Sequence, residues 1–374
     1  LHYLDATEDF RVLPTEAIVW NHENPRPATP PSVNGSLTVV GSNTLNYFTT
    51  VDAGPDVCGP LTNMDCRGAD SQNEFDRQHA KLINMLIELD ADIVGLNELE
   101  NNAAAAPAGD GADPVLESIV DALNVELGAG TYAFIDAGVI GSDAIKVGLI
   151  YKPASATPLG SYATLDSSYD PSFVDTRNRP VLAQSFTDNA TGEVLTVAVA
   201  HLKSKGSACG APDDRPDASG GNCNGTRTAA AQVMVDWFAG DPTGSGDPDI
   251  LLIGDLNSYA KEDPIDVFVN AGYVDLAATL GDPYSYVFNG EWGYLDYAMA
   301  NPTLAAQVRG VAEWHINADE PIALDYNIEF KSAGQQAGFY SPDPFRVSDH
   351  DPILVGLELG AQPPVYVSTT VAGS

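Results

Sequence analysis

Residues 251–257 read Leu-Leu-Ile-Gly-Asp-Leu-Asn, an apolar run that halts at a glycine and then offers a carboxylate and an amide two positions apart. Four apolar residues from Ile250 bounded by a glycine read as a buried strand. Asp255 and Asn257 project to one side of an extended chain, and Leu256 between them keeps the alternation going. A turn after a strand is the plain alternative. Three further segments of the same kind weigh against it: Ser42-Asn43-Thr44-Leu45-Asn46 after Val39-Val40, Gly95-Leu96-Asn97-Glu98 after Ile93-Val94, and Ser348-Asp349-His350 just ahead of 353–359. A folding core needs none of these polar residues. Four strand mouths carrying them suggest one metal-assisted site.

The pattern outward from that strand alternates short apolar runs with amphipathic helical spacing. Strands are expected at 37–40, 93–96, 145–151, 181–186, 195–200, 250–253, 284–288, 294–299 and 353–359. Helices are expected around Phe75, His79, Leu82 and Leu86, from Pro114 at its favoured first position, and over 226–238. Strands outnumber helices, and hairpin-like spacing is common. An α/β (α+β) four-layered sandwich, two mainly antiparallel sheets with helices outside, fits better than a doubly wound parallel sheet. The Pro-rich segment 1–34 reads as a lead-in, 35–360 as one catalytic domain, and 361–374 as a tail or linker.

The 374 residues carry 52 acidic and 17 basic side chains, a net charge of −35, with 44% hydrophobic residues. Such a chain can bury a large core, and its acidic surface suits a salty or divalent-rich medium. Net charge of this sign argues against duplex binding through lysine and arginine alone, but a bound divalent cation can supply the positive field locally. No apolar run approaches the roughly 18 residues that span a membrane. A start at Leu1 without a charged-then-apolar leader reads as a processed product of a longer protein. Cys58 and Cys66, and Cys209 and Cys223, lie too far apart for a structural zinc site. Two local disulfides pinning surface loops fit, and they imply an oxidising, extracellular or cell-surface location.

Individually the candidate residues say little. Glu98 and Asn43 are hard oxygen donors suited to Mg²⁺ or Ca²⁺, but strand-end carboxylates are usually solvated and lone asparagines are usually turn residues. His201, after Val197-Ala198-Val199-Ala200, and His350 supply two imidazoles that titrate near neutrality. Asp296, inside Tyr294-Leu295-Asp296-Tyr297, needs a partner if buried, and the His350 imidazolium would serve. Arg177, Arg179, Lys203, Lys205 and Arg227 could form a positive patch.

The order Asn43, Glu98, His201, Gly254-Asp255-Leu256-Asn257, Tyr294-Leu295-Asp296-Tyr297, Ser348-Asp349-His350 resembles the endonuclease/exonuclease/phosphatase superfamily, the fold of pancreatic-type deoxyribonuclease. Asn43-Thr44-Leu45-Asn46-Tyr47-Phe48, His201-Leu202-Lys203-Ser204-Lys205-Gly206 and 314–321 resemble its bacterial extracellular nucleases. Ser42 departs from the family's bulky residue before the asparagine. The resemblance implies a metal held by Asn43 and Glu98 with help from Asp349, and an attacking water positioned by Asp255 and Asn257. It implies phosphate polarised by His350 braced by Asp296, a leaving group protonated by His201, and phosphate contacts from Asn46, Arg177, Arg179, Lys203 and Lys205. The cofactor expected is Mg²⁺ or Mn²⁺, with Ca²⁺ as an additional structural ion. The partner expected is DNA, with RNA as a second substrate, bound by a monomeric domain without membrane insertion.

Two rivals stand beside this secreted nuclease. One is a phosphatase or sphingomyelinase-like phospholipase C on the same fold; the sequence shows no exposed apolar hairpin of the kind that carries such enzymes to membranes. The other is a non-catalytic Ca²⁺-binding surface protein, which leaves the intact set of polar strand ends unexplained.

Overall fold

The computed structural model describes residues 2–4, 9–11, 14–19, 21, 26–27, 29–102, 113–215 and 220–360. The tail read over 361–374 lies outside them, as does part of the lead-in. Two six-stranded sheets form the centre. One runs in the order Val308–Glu313, Ile353–Leu357, Leu37–Tyr47, Ile93–Glu100, Ile145–Tyr151, Ala133–Phe134; the other runs Val274–Asp275, Asp296–Ala300, Ile250–Asp255, Val194–His201, Arg179–Asp188, Ala156–Leu165. Each has one parallel pair at its centre, Leu37–Tyr47 with Ile93–Glu100 and Val194–His201 with Ile250–Asp255, and antiparallel pairs elsewhere. The sheets are therefore mixed, with antiparallel pairing dominant as expected.

Strand alternation sorts the layers. Val39, Ile93, Leu149, Val197, Val199, Ile253 and Val355 pack between the sheets, while Val40, Val94 and Leu96 turn outward onto helices Gln72–Leu89 and Pro114–Leu127. Helices Asn224–Ala239 and Asp263–Asn270 cover the second sheet through Met234, Trp237, Ile265 and Phe268. Gly95 sets the spacing at the centre. A Cβ there would lie 2.6 Å from Ile253 and 2.7 Å from Val199, so no larger residue fits between the sheets.

Local signals account for the ends. Ser71 caps Gln72–Leu89 by accepting from the Glu74 N–H, and Glu74 reaches back to the Asp70 N–H at 3.0 Å. Disulfides Cys58–Cys66 and Cys209–Cys223 close loops of 8 and 14 residues, the pairing that short loops favour. Some elements were not anticipated. Ala156–Leu165 is an edge strand, mostly solvent-facing and interrupted by Pro158 and Gly160, which hide its alternation. The run expected at 284–288 is instead a separate ribbon, Tyr286–Phe288 with Glu291–Gly293, turning at Asn289-Gly290. Val33, expected to precede the domain, already packs against Gly310 and Gly356.

Glu313, at the end of an edge strand, yields a stability prediction. It is buried, its Oε2 accepts from the Tyr284 N–H at 2.9 Å, and its Oε1 has no hydrogen-bond partner among the described residues. Burial pushes its carboxyl up from 4.5 to about 7. Its protonated form suits the fold, so its contribution is fully present below pH 4.5 and is lost as pH rises through about 7. Glu313→Gln is expected to raise the Tm at pH 8, by an amount on the order of 3 kcal/mol of stability, and to change little at pH 4. Thermal melts at the two pH values check it; an equal shift at both would show that burial of charge is not the cause.

Candidate active site

The register of the two sheets builds the site. Asn43 pairs with Asn97 at the C-terminal ends of one parallel pair, and Asp255 pairs with His201 at the C-terminal ends of the other. The antiparallel neighbours add Asp296 opposite Asp255 and Arg179 opposite His201, and His350 comes from the loop that enters Ile353–Leu357. All of these ends face one way. Chain segments more than 300 residues apart thus meet at a single edge of the sandwich, over a cleft of about 490 Å³.

Asp255 sits at the middle. Its Oδ1 accepts from the Asn257 N–H at 2.8 Å and its Oδ2 from Asn257 Nδ2 at 3.1 Å. The same Oδ2 lies 3.6 Å from His201 Nε2 and 4.0 Å from His350 Nε2. His350 Nδ1 donates to Asp296 Oδ2 at 2.7 Å, and Ser285 Oγ donates to that oxygen at 2.6 Å. Tyr286 covers the His350 ring at 4.6 Å between centroids. Glu98 Oε1 is 3.9 Å from His201 Nε2, and its Oε2 accepts from the Asn46 N–H at 3.0 Å.

The backbone is bent to hold these groups. Leu45, Asn46, Glu98 and Asn257 all take left-handed conformations, with φ of 52°, 52°, 63° and 48°. Asparagine tolerates that region; leucine and glutamate pay about 1 kcal/mol or more each. Gly254, at φ +122°, could carry no side chain, because a Cβ would lie 2.2 Å from the Ala200 carbonyl oxygen.

The sequence profile described as Endonuclease/Exonuclease/phosphatase family matches residues 62–350. The chain belongs to that family. A mannosyl-6-phosphatase of Bacteroides thetaiotaomicron superposes with a TM-score of 0.51 at 14% identity, covering 86% of this chain and 99% of that one. An endonuclease/exonuclease/phosphatase from Bacteroides vulgatus gives 0.49 at 14% identity over 86% and 99%, and the human nocturnin catalytic domain gives 0.48 at 14% over 87% and 95%. The first of these likenesses shows the fold. No curated protein matches the sequence. As an endonuclease/exonuclease/phosphatase family member the chain is a hydrolase of phosphoester bonds, in a family that generally uses divalent metal ions.

The donor set suits such an ion. Burial raises the Glu98 carboxyl, Asp349 beside it raises it further, and His350 and the Asn43 amide pull it back. Asp349 makes no hydrogen bond or ion pair among the described residues, and it lines the cleft with Glu98. Asn43 is fully buried beside Glu98; its Oδ1 accepts from the Leu45 N–H at 2.9 Å and its amide faces the Glu98 carboxyl. Two mutually repelling carboxylates with an amide behind them make a hard-oxygen site for a divalent cation.

The imidazoles of this family member differ. Burial opposes charge on His350, but Asp296, Asp349 and Asp255 together hold it well above the ordinary histidine range. Burial, Arg179 and His350 hold His201 well below that range, and the Arg179 guanidinium donates to its Nε2 at 3.3 Å. An Nε2 that accepts from Arg179 fits the acid role the resemblance implies for it less well than a donor would. Burial pushes Asp255 up to about 7. In metal-free protein, imidazole ¹⁵N shifts are expected to show His350 doubly protonated at pH 8 and His201 singly protonated at pH 6. Matching titrations for the two rings would refute the asymmetry.

Of the proposed phosphate ligands, Asn46, Arg179 and Lys205 line the cleft. Arg177 and Lys203 do not. Arg177 bonds Asp213 Oδ2 at 3.0 Å and Thr226, and Lys203 Nζ bonds Ser207 Oγ at 2.9 Å and the Ser204 carbonyl. Arg67, Tyr259, Tyr286 and Phe288 line it without having been singled out. The hairpin also corrects the view that no apolar tip exists, since Phe288 and Trp292 are 57% and 66% exposed.

Proposed function

We propose that the protein is a secreted, divalent-dependent nuclease that hydrolyses the phosphodiester bonds of DNA, with RNA as a second substrate. One observation carries this reading: the cleft brings both signs of charge together. Glu98, Asp255 and Asp349 line it along with Arg67, Arg179 and Lys205. In a chain of net charge −35, that is where a polyanion and a cation can be held together.

Glu98 and Asp349, with Asn43 behind, would hold the ion, Mg²⁺ or Mn²⁺, and when bound it would supply positive charge to the non-bridging oxygens. Asp255 and Asn257 orient the attacking water, and Asp255, poised near neutrality, takes its proton. The His350 imidazolium, braced by Asp296, stabilises the phosphate, and its Nε2–H gives a proton to the leaving oxygen, which leaves the ring neutral. His201 accepts from Arg179 and so aims that guanidinium at the phosphate. The unit over about 35–360 acts as a monomer outside the cell, where its two disulfides persist; no described helix is long and apolar enough to cross a membrane.

Cleavage of closed circular and linear DNA, with Mg²⁺ and with EDTA, tests the reading. Loss of the circle only with metal is the expected result for an endonuclease; survival of both the circular and the linear DNA at saturating Mg²⁺ would sink the reading. The exposed aromatic hairpin favours a second reading, a phospholipase C, which turnover of sphingomyelin vesicles would reveal.

A further inference from the structure

Phe288 stands at the end of a short ribbon, two positions from Tyr286, so both rings point to the same face. That face is the cleft, which both residues line. The other cleft aromatics are engaged: Tyr286 covers His350, and Tyr259 lies under the Lys205 ammonium at 4.1 Å. Phe288 has no aromatic or cationic partner among the described residues and is 57% exposed. A ring of this size left open beside a catalytic centre is a platform without an occupant.

Two cation groups on the same cleft indicate which occupant fits. Asp143 lies between Arg67 at 2.8 Å and Arg179 at 2.9 Å. Glu262 lies between Lys205 and Arg227, the latter at 3.8 Å. Each carboxylate holds a cleft-lining cation in place, Arg67 and Arg179 through Asp143 and Lys205 through Glu262, so three positive groups are fixed on the cleft of a strongly acidic protein. Arg67 follows Cys66 directly, so the Cys58–Cys66 disulfide anchors the loop that presents it. Positive groups that track a backbone, interleaved with an aromatic face for a base, are the physical requirements for gripping a single strand. A base paired in duplex is already stacked and would have to be pulled out first. A lipid surface fits less well. The turn beyond Phe288 is Asn289-Gly290-Glu291, and Phe288 faces the cleft.

We propose, resting on the nuclease reading, that this cleft takes an unpaired nucleotide: Phe288 stacks the base next to the scissile phosphate, and Arg67 and Lys205 hold neighbouring phosphates. The test measures kcat/KM of wild type, Phe288→Ala and Phe288→Tyr on a single-stranded oligonucleotide, the same strand carrying one abasic nucleotide at successive positions, its duplex, and bis(p-nitrophenyl) phosphate. Wild type is expected to prefer the single strand over the duplex by about tenfold or more, and to lose a similar factor when the abasic nucleotide flanks the cleaved bond. Phe288→Ala should already have lost that factor, show no further loss on the abasic strand, and match wild type on the small ester. Phe288→Tyr should keep it. A Phe288→Ala deficit that is equal on intact and abasic strands, or equal on the small ester, overturns the proposal while leaving the nuclease intact. So does wild-type binding to sphingomyelin–phosphatidylcholine vesicles that Phe288→Ala abolishes. A wild type that cuts no nucleic acid overturns both readings.

Discussion

Glu98→Gln is expected to abolish most phosphodiesterase activity while making the metal-free protein slightly more stable. The substitution keeps shape and removes the charge that a hard cation needs. A loss of about 4 kcal/mol of charge stabilisation corresponds to a fall of about a thousandfold in kcat. Stability moves the other way because Glu98 is half-buried and is repelled by Asp349, so its ionised form weighs against the folded state at neutral pH. Two melts complete the test. Mg²⁺ should raise the Tm of wild type by linkage and leave the Glu98→Gln protein unmoved. An equal Mg²⁺ shift in both proteins would take Glu98 out of the metal site, whatever the activity.

His350→Ala should cost about 10²–10³ in kcat, because it removes the cation aimed at the developing charge on the phosphate. It also leaves Asp296, Asp255 and Asp349 facing one another without the imidazolium that holds them together, so a lower Tm at pH 8 than at pH 5 is expected alongside. Asp296→Asn separates the two effects: the ring stays, its brace goes, and the pH at which His350 titrates should fall. The leaving group distinguishes charge from proton. On a nitrophenyl diester, whose leaving group needs no proton, His350→Ala should recover part of its deficit, whereas His201→Ala, which acts through Arg179, should lose equally on both substrates. The reverse pattern would return the acid role to His201.

The strand ends were legible because their chemistry contradicts their setting. Asp255, Asn257, Glu98 and His350 interrupt apolar runs that would be better buried without them, and Gly254 marks the position where a Cβ meets Ala200. Pairwise cysteine spacing was equally readable. Arg67 was not. It is a lone arginine in a loop without periodicity, held at the cleft by the neighbouring Cys58–Cys66 bridge and by Asp143, 76 positions on. Arg177 and Lys203 do cluster with Arg179 and Arg227, as the sequence suggested, but Asp213 and Ser207 hold them away from the cleft lining. The hairpin had a signal that went unused. Asn289-Gly290 between short apolar stretches is the dipeptide a two-residue turn requires, and both residues take the positive φ it needs. The contrast between the two histidines lies beyond any sequence pattern, because it depends on which charges surround each ring.

The left-handed backbone at Leu45 and Glu98 has a bearing on anyone who breeds this protein for endurance. Those bends, together with the crowded carboxylates they present, make the rim of the cleft a place where heat resistance can be gained. Glycine at 98, which accepts that conformation freely, removes strain and repulsion in one step. A library screened only for survival at high temperature should therefore drift toward robust, inert proteins, with replacements accumulating at the rim. Selection has to include turnover at every round if the lineage is to keep its chemistry.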